Sequence, residues 1–94
     1  MPQQPTVTAK MIMTLIERQG FRCPLSGRTL TPETASLDHV LPLSRDGKHD
    51  LSNIWVVDHQ VNSAKGTLTA EEFVSLCTEV AATNPLPAVP SLEM

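Results

Sequence analysis

The sequence predicts a small α+β domain whose centre is made of two short strands, a long loop and a short helix, with a further helix on either side. Three observations support this class. Apolar residues recur at helical spacing near the N-terminus, two short β-branched or half-apolar runs follow, and a helix-capping sequence opens the last third of the chain. With 94 residues, the chain has room for one domain only.

The first predicted element is a helix from Thr8, a suitable N-cap, to about Gln19, with Gly20 as its stop. Its apolar face repeats at helical spacing, and it consists of Met11, Ile12, Leu15 and Ile16. A segment rich in turn-forming residues comes next, and we interpret residues 21–30 as a hairpin or knuckle.

The centre of the domain is predicted from residues 34–65. Residues 34–40 form a short, half-apolar strand, and a polar loop follows it. Residues 54–57 are β-branched or aromatic, which predicts a second strand. Residues 58–65 then read as a short helix, capped by Asp58 and ended by Gly66.

The last helix is predicted to begin with the capping box at residues 69–72 and to end near Ala82. We expect its apolar stripe to pack into the core, and this stripe comprises Phe73, Val74, Leu76, Cys77 and Val80. We therefore assign residues 1–8 to a frayed N-terminus, 9–83 to a single domain and 84–94 to a Pro-rich disordered tail.

The charge distribution narrows the classes of function. A net charge of −3 argues against a protein that holds nucleic acid by bulk electrostatics, although all but one of the Lys and Arg residues lie between residues 18 and 65. No apolar run approaches the roughly 18 residues that a membrane helix requires, and we see no secretory signal. Two cysteines fit no disulfide framework, so we expect a cytoplasmic protein without a membrane partner.

Five polar residues in the centre form a candidate site, and they are Asp38, His39, Asn53, Asn62 and Lys65. The Asp38 carboxylate and the Asn62 carbonyl are hard oxygen donors, and so small a set suits Mg²⁺ or Mn²⁺ that keeps its waters. An imidazole beside such an ion is a natural base for water, which assigns that role to His39. Lys65 lies near the same helix face as Asn62, within reach of a substrate phosphate.

The ordered set of motifs resembles the HNH endonuclease family over about residues 21–73. The set comprises Asp38-His39, Pro42 three positions later, Leu51-Ser52-Asn53, a strand, then Asn62-x-x-Lys65-Gly66. The resemblance implies a ββα-metal fold with two antiparallel strands, and it implies hydrolysis of DNA. It also implies that Asp38 and Asn62 bind the metal, that His39 is the general base and that Asn53 pins the loop so that His39 is aimed.

One feature departs from the family pattern. Many members hold a structural zinc with two Cys-x-x-Cys pairs, whereas here the first pair reads Cys23 to Ser26 and the second falls near Asp58 and Val61. Such a set of side chains cannot hold Zn²⁺. We therefore expect no structural zinc, and we expect the two flanking helices to stabilise the fold instead.

The remaining candidates carry weaker signals. His59 is a candidate to support the metal or the leaving group, Arg45 and Lys48 are candidate phosphate contacts, and His49 is expected to be solvated. Trp55 is expected in the core. Two alternatives to a free-standing nuclease stay open: a non-catalytic DNA-binding or assembly module, and an accessory protein of phage packaging that works with a terminase. One site per chain means that double-strand cutting requires a homodimer or two successive cuts.

Overall fold

A computed structural model of the chain describes residues 7–86 and contains three α-helices and one two-stranded antiparallel sheet. In chain order the α-helices and strands are α1 (Ala9–Arg18), β1 (Ala35–His39), β2 (Ile54–Asp58), α2 (His59–Lys65) and α3 (Ala70–Thr83), and two 3₁₀ turns, Leu43–Arg45 and Leu51–Asn53, lie between the strands. This order confirms the predicted α+β class, with a ββα centre between two flanking helices. The outer parts of the predicted frayed terminus and tail, residues 1–6 and 87–94, lie outside the described residues.

The register of the sheet fixes which side chains face each other. Asp38 on β1 lies opposite Trp55 on β2, and His39 lies opposite Ile54. Val56 and Val57 of β2 are almost completely buried and form the centre of the core. The polar end of β1 is therefore held directly beside the hydrophobic core.

Helix α1 forms where it was predicted and also protects the sheet. The Thr8 side chain accepts a hydrogen bond from the backbone N–H of Met11, and Gly20 takes the left-handed conformation with φ of 64° just after the helix. Gln19 donates from Nε2 to the Val56 carbonyl at 2.8 Å and accepts from the Val56 N–H at 3.0 Å. One side chain thereby pairs with β2 as a neighbouring strand would.

The knuckle between α1 and β1 is joined to the sheet by side chains. Its two arms meet in an antiparallel bridge between Arg22 and Thr29, and Cys23 is buried at its base. Arg28 reaches from this knuckle to the carboxylate of Asp58 at 3.2 Å and to the side chain of Gln60 at 2.7 Å. These polar contacts connect the knuckle to the end of β2 and to the residues that follow it.

Helix α2 begins and ends as predicted. The Asp58 carboxylate accepts from the N–H groups of Gln60 and Val61, and the Gly66 N–H donates to the Asn62 carbonyl. The helix packs on both strands of the sheet. It therefore presents residues 62 and 65 towards the end of β1.

Helix α3 has the predicted capping box between Thr69 and Glu72, but its apolar stripe is not buried as expected. Val74, Leu76 and Val80 are about half exposed, and Cys77 is exposed as well. The reason is that α3 packs against no helix or strand as extensively as α1 and α2 pack on the sheet. Within residues 7–86, no helix is long and apolar enough to cross a membrane.

Candidate functional site

An open cavity of about 350 Å³ lies where the end of β1, the following loop and α2 meet. Asp38, His39 and Asn62 line it together, although 23 positions separate the last two in the sequence. The other lining residues are Leu37, Pro42, Leu43, Ser44, Gly66 and Thr67. Three of the predicted site residues are therefore brought to one place.

The Asp38 carboxylate is buried and already has two protein partners. The indole N–H of Trp55 donates to Oδ2 at 2.6 Å, and the Lys65 ammonium lies 3.3 Å from each carboxylate oxygen. Trp55, which was expected only to fill the core, thus also orients this carboxylate from the opposite strand. A carboxylate has about four acceptor positions, so Asp38 keeps capacity for a further ligand on the cavity side.

Lys65 is placed differently from the sequence prediction. Its side chain is buried, and only 1% of the residue is exposed. Besides the ion pair with Asp38, its ammonium donates to the His39 carbonyl at 3.3 Å. A lysine held in this way does not lie on a surface that a phosphate can reach, so the predicted phosphate contact is corrected to an internal one. Lys65 lies almost one helical turn after Asn62, so the two residues share a face of α2. That face is turned towards β1 and not towards solvent.

His39 is half-buried at the end of β1, on the rim of the cavity. Partial burial, then repulsion by a charged His49, lowers the pKa of His39 below its ordinary value, against the opposing pull of the Asp38 carboxylate. A lowered pKa keeps the imidazole neutral at physiological pH, and only the neutral ring can accept a proton from water.

His49 is the residue that sequence reasoning missed. It was expected to be solvated, yet it is half-buried, and its Nδ1 lies 2.9 Å from Nε2 of His39. The two rings are tilted by 46° with their centroids 5.1 Å apart. The sequence held one signal for this position. His49 lies in the loop that Asn53 was predicted to pin, and such a loop has to fold back towards His39.

Asn53 makes the loop contacts that its predicted role requires. Its side-chain carbonyl accepts from the Leu41 N–H at 2.9 Å, and its amide donates to the Leu41 and Lys48 carbonyls at 2.9 and 2.8 Å. One side chain thus ties together the two ends of the loop. Leu41 lies two positions after His39 and Lys48 directly precedes His49, so the contacts hold the chain segments of the two histidines close together.

Asn62 lies on α2 with its amide group oriented by β1. Its Nδ2 donates to the Ser36 hydroxyl at 2.7 Å, and this bond identifies the group's other atom, Oδ1, as the one left to accept a ligand. A hard carbonyl oxygen on a fixed side chain is a suitable partner for a divalent cation.

The three outer candidates lie at the surface. Arg45 forms an ion pair with Glu72 of α3, and Lys48 is exposed in the loop. His59 is exposed at the first turn of α2 and is not among the residues that line the cavity. Arg45 and Lys48 are therefore accessible to a large ligand, whereas His59 is not positioned to contact one inside the cavity.

The donors at the cavity fit a hydrated Mg²⁺ or Mn²⁺. Asp38 and Asn62 offer one carboxylate and one carbonyl, both hard oxygens, and the open cavity leaves space for water and a phosphate. Across residues 7–86, no three His, Cys, Asp or Glu side chains cluster as a metal-binding group. Any ion held here would therefore depend on water and substrate for most of its ligands.

Comparison with protein-family models finds none that matches this chain, and comparison with curated protein sequences likewise finds no match.

Proposed function

We propose that this chain is a metal-dependent endonuclease of the HNH type, which hydrolyses phosphodiester bonds of DNA. The observation that supports it most strongly is the meeting of Asp38, His39 and Asn62 on one open cavity. A carboxylate, a neutral imidazole and a carboxamide around a solvent-accessible space are the groups that metal-assisted phosphate hydrolysis needs.

In this proposal, Asp38 and Asn62 would hold the divalent ion, and such an ion would supply the positive charge that stabilises the scissile phosphate and the leaving oxygen. His39 accepts the proton of the water that attacks phosphorus in line with the leaving oxygen. Asn53 keeps the loop in place, so that the imidazole does not need to be ordered during the reaction. Lys65 and Trp55 fix the position of the Asp38 carboxylate.

The proposed substrate is DNA, a strongly anionic polymer, so its approach requires positive charge near the cavity. Lys48 provides such charge on the loop that borders the cavity, and Arg45 would add to it on leaving its ion pair with Glu72. The described basic residues are few, and the bound ion would therefore supply a large part of the positive field. If both strands of the DNA are cut, the proposed active form is a homodimer. The proposed compartment is the cytoplasm, because both cysteines are free thiols.

A plasmid-nicking assay tests the proposal. With Mg²⁺ or Mn²⁺ we expect supercoiled DNA to be converted to the open circle, and EDTA should abolish this conversion. His39→Ala should lower the rate by about 10²- to 10⁴-fold, because it removes the general base. Asn62→Ala should raise the metal concentration needed for half-maximal activity, while Ser63→Ala, on the exposed side of the same helix, should not. Cleavage that persists in EDTA, or that is undiminished in His39→Ala, would refute the proposal.

One observation favours a second candidate function, a non-catalytic DNA-binding or phage-packaging accessory module. Asp38 is already paired with Lys65 and Trp55, which is how a purely structural carboxylate would be placed. Calorimetric titration with Mn²⁺ separates the two functions. The nuclease should show one Mn²⁺-binding site, and Asn62→Ala and Asp38→Asn should each weaken it. The module should instead bind DNA equally well with or without Mn²⁺.

A further inference from the structure

His49 makes a contact that the proposed reaction does not require. Its Nδ1 lies 2.9 Å from Nε2 of His39, and the two residues are ten positions apart in the chain. His39 lines the cavity, whereas His49 is not among its lining residues. The bond therefore joins His39 to a residue outside the cavity lining.

A hydrogen bond between two neutral imidazoles has a strict requirement. One nitrogen must carry the proton and the other must offer a lone pair, because each neutral ring has one donor and one acceptor. If His39 carries its proton on Nε2 and donates it to His49, its Nδ1 is left with a lone pair. In the opposite arrangement, Nε2 is the acceptor and Nδ1 carries the proton, so the ring has no lone pair left for water.

The loop around His49 is fixed on both sides. Before it, a Cβ at Gly47 would lie only 1.7 Å from the Leu41 carbonyl oxygen, so the chain passes too close for any other residue. The Lys48 carbonyl is held by the side chain of Asn53. After it, the Asp50 carboxylate accepts from the Ser52 N–H and caps the next turn. These contacts fix the backbone on either side of His49, and its ring is held by the bond to His39.

We infer that His49 is a positioning residue that accepts a hydrogen bond from Nε2–H of His39 and so leaves a lone pair on Nδ1 of His39, able to accept a proton. This inference rests on the proposed nuclease function for its consequence, but the tautomer itself is a property of the free protein. His49 touches neither substrate nor metal in this arrangement. It acts only through the orientation and the protonation site of His39.

Two substitutions separate the hydrogen bond from packing. His49→Phe keeps an aromatic ring but has no acceptor, and His49→Asn places a carboxamide oxygen near the position of Nδ1 without the ring. We expect His49→Phe to lower kcat by about 10- to 100-fold, as loss of an orienting partner does at comparable sites. His49→Asn should recover most of this loss, and KM for DNA should change by less than about twofold in both variants.

The second measurement needs neither metal nor DNA. Nitrogen-15 NMR of the imidazole rings at about pH 8, above the ordinary pKa of a histidine side chain, reports the protonated nitrogen of each ring. We expect His39 to carry its proton on Nε2 in the wild-type protein and in His49→Asn, and to show a mixture of tautomers in His49→Phe.

The outcomes distinguish the inference about His49 from the proposed nuclease function. Full activity of His49→Phe, or a His39 tautomer that does not respond to it, overturns the inference while leaving the nuclease proposal intact. A wild-type protein that cuts no DNA overturns the nuclease proposal, and the NMR comparison then still decides whether His49 sets the tautomer of His39.

Discussion

The ββα unit, residues 35–65, and helix α3 are built in opposite ways. In the ββα unit, buried and half-buried side chains from distant positions contact one another, as Asp38, Trp55 and Lys65 do. Helix α3 is defined by its own capping box, and much of its apolar stripe remains exposed. Tertiary contacts therefore stabilise the site, whereas local sequence alone suffices to start α3. We accordingly expect equal substitutions in the two regions to have unequal effects.

The largest effect should come from breaking the buried ion pair. Lys65→Met leaves the Asp38 carboxylate buried without its cation, and this should lower the free energy of unfolding by about 3–5 kcal/mol. Combining it with Asp38→Asn removes the unpaired charge while the Trp55 contact can persist, so the double variant should be more stable than Lys65→Met alone.

Urea unfolding followed by circular dichroism measures both variants. If Lys65→Met unfolds at the wild-type urea concentration, the pair does not stabilise the unit, and the contrast with α3 loses its main support. A double variant no more stable than Lys65→Met would show that Lys65 acts mainly through its bond to the His39 carbonyl.

The same substitution in the core and on α3 gives the next largest contrast. Val57→Ala removes methyl groups from a side chain with no exposed surface, and it should cost about 2 kcal/mol through lost burial and a residual cavity. Val74→Ala, at a position that is half exposed on α3, should cost less than about 0.5 kcal/mol. Urea midpoints of the two variants give the comparison, and equal midpoints would mean that α3 is packed as firmly as the sheet.

The parts of the fold with local signals were predictable from the sequence. Thr69 with Glu72, Asp58 before α2, and Gly66 after it each satisfy backbone groups within a few residues of themselves, so the chain segment alone specifies them. The pairing of the strands and the ββα order followed from the resemblance and from the β-branched runs.

What could not be predicted depends on distances across the fold. A lysine at position 65 looks like a surface charge until the helix is placed on β1, where it meets the buried Asp38 carboxylate. His49 looks solvated until Asn53 closes the loop. The stripe of α3, including Cys77, has the spacing of a core face, but burial requires a partner surface that spacing cannot report.

The two helix caps allow a matched test of how far each helix is coupled to the core. Thr8 and Thr69 each accept a backbone N–H at 3.1 Å, and loss of such a cap costs about 1 kcal/mol. Because α1 packs on β2, Thr8→Ala should lower the global stability by about this amount. Thr69→Ala should instead speed amide exchange in α3 and leave protection of β2 unchanged. Loss of protection in both regions of Thr69→Ala would show that α3 unfolds together with the core.

The smallest effect concerns the contact between the loop and α3, the ion pair of Arg45 with Glu72. The hydrogen bond and charge of Arg45, together with the Thr69 N–H, lower the pKa of the Glu72 carboxyl group below its ordinary value. A carboxyl whose pKa is lower in the folded state stabilises it above its ordinary pKa, and this contribution disappears as the pH falls through the lowered value. Both side chains are exposed, so the contribution to stability should be slight and should shrink with added salt.

Carbon-13 NMR of the Glu72 carboxyl group follows this contact directly. Arg45→Gln should raise the pKa of Glu72 towards its ordinary value, though the Thr69 contact would keep part of the lowering. Lys48→Gln removes a positive charge from the same loop without breaking that ion pair, and it should leave the titration of Glu72 nearly unchanged. If the two variants shift the titration equally, the loop acts on α3 only through its net charge. The ββα unit and α3 would then be joined by no specific side-chain bond at this point, and the contrast between them would be sharper still.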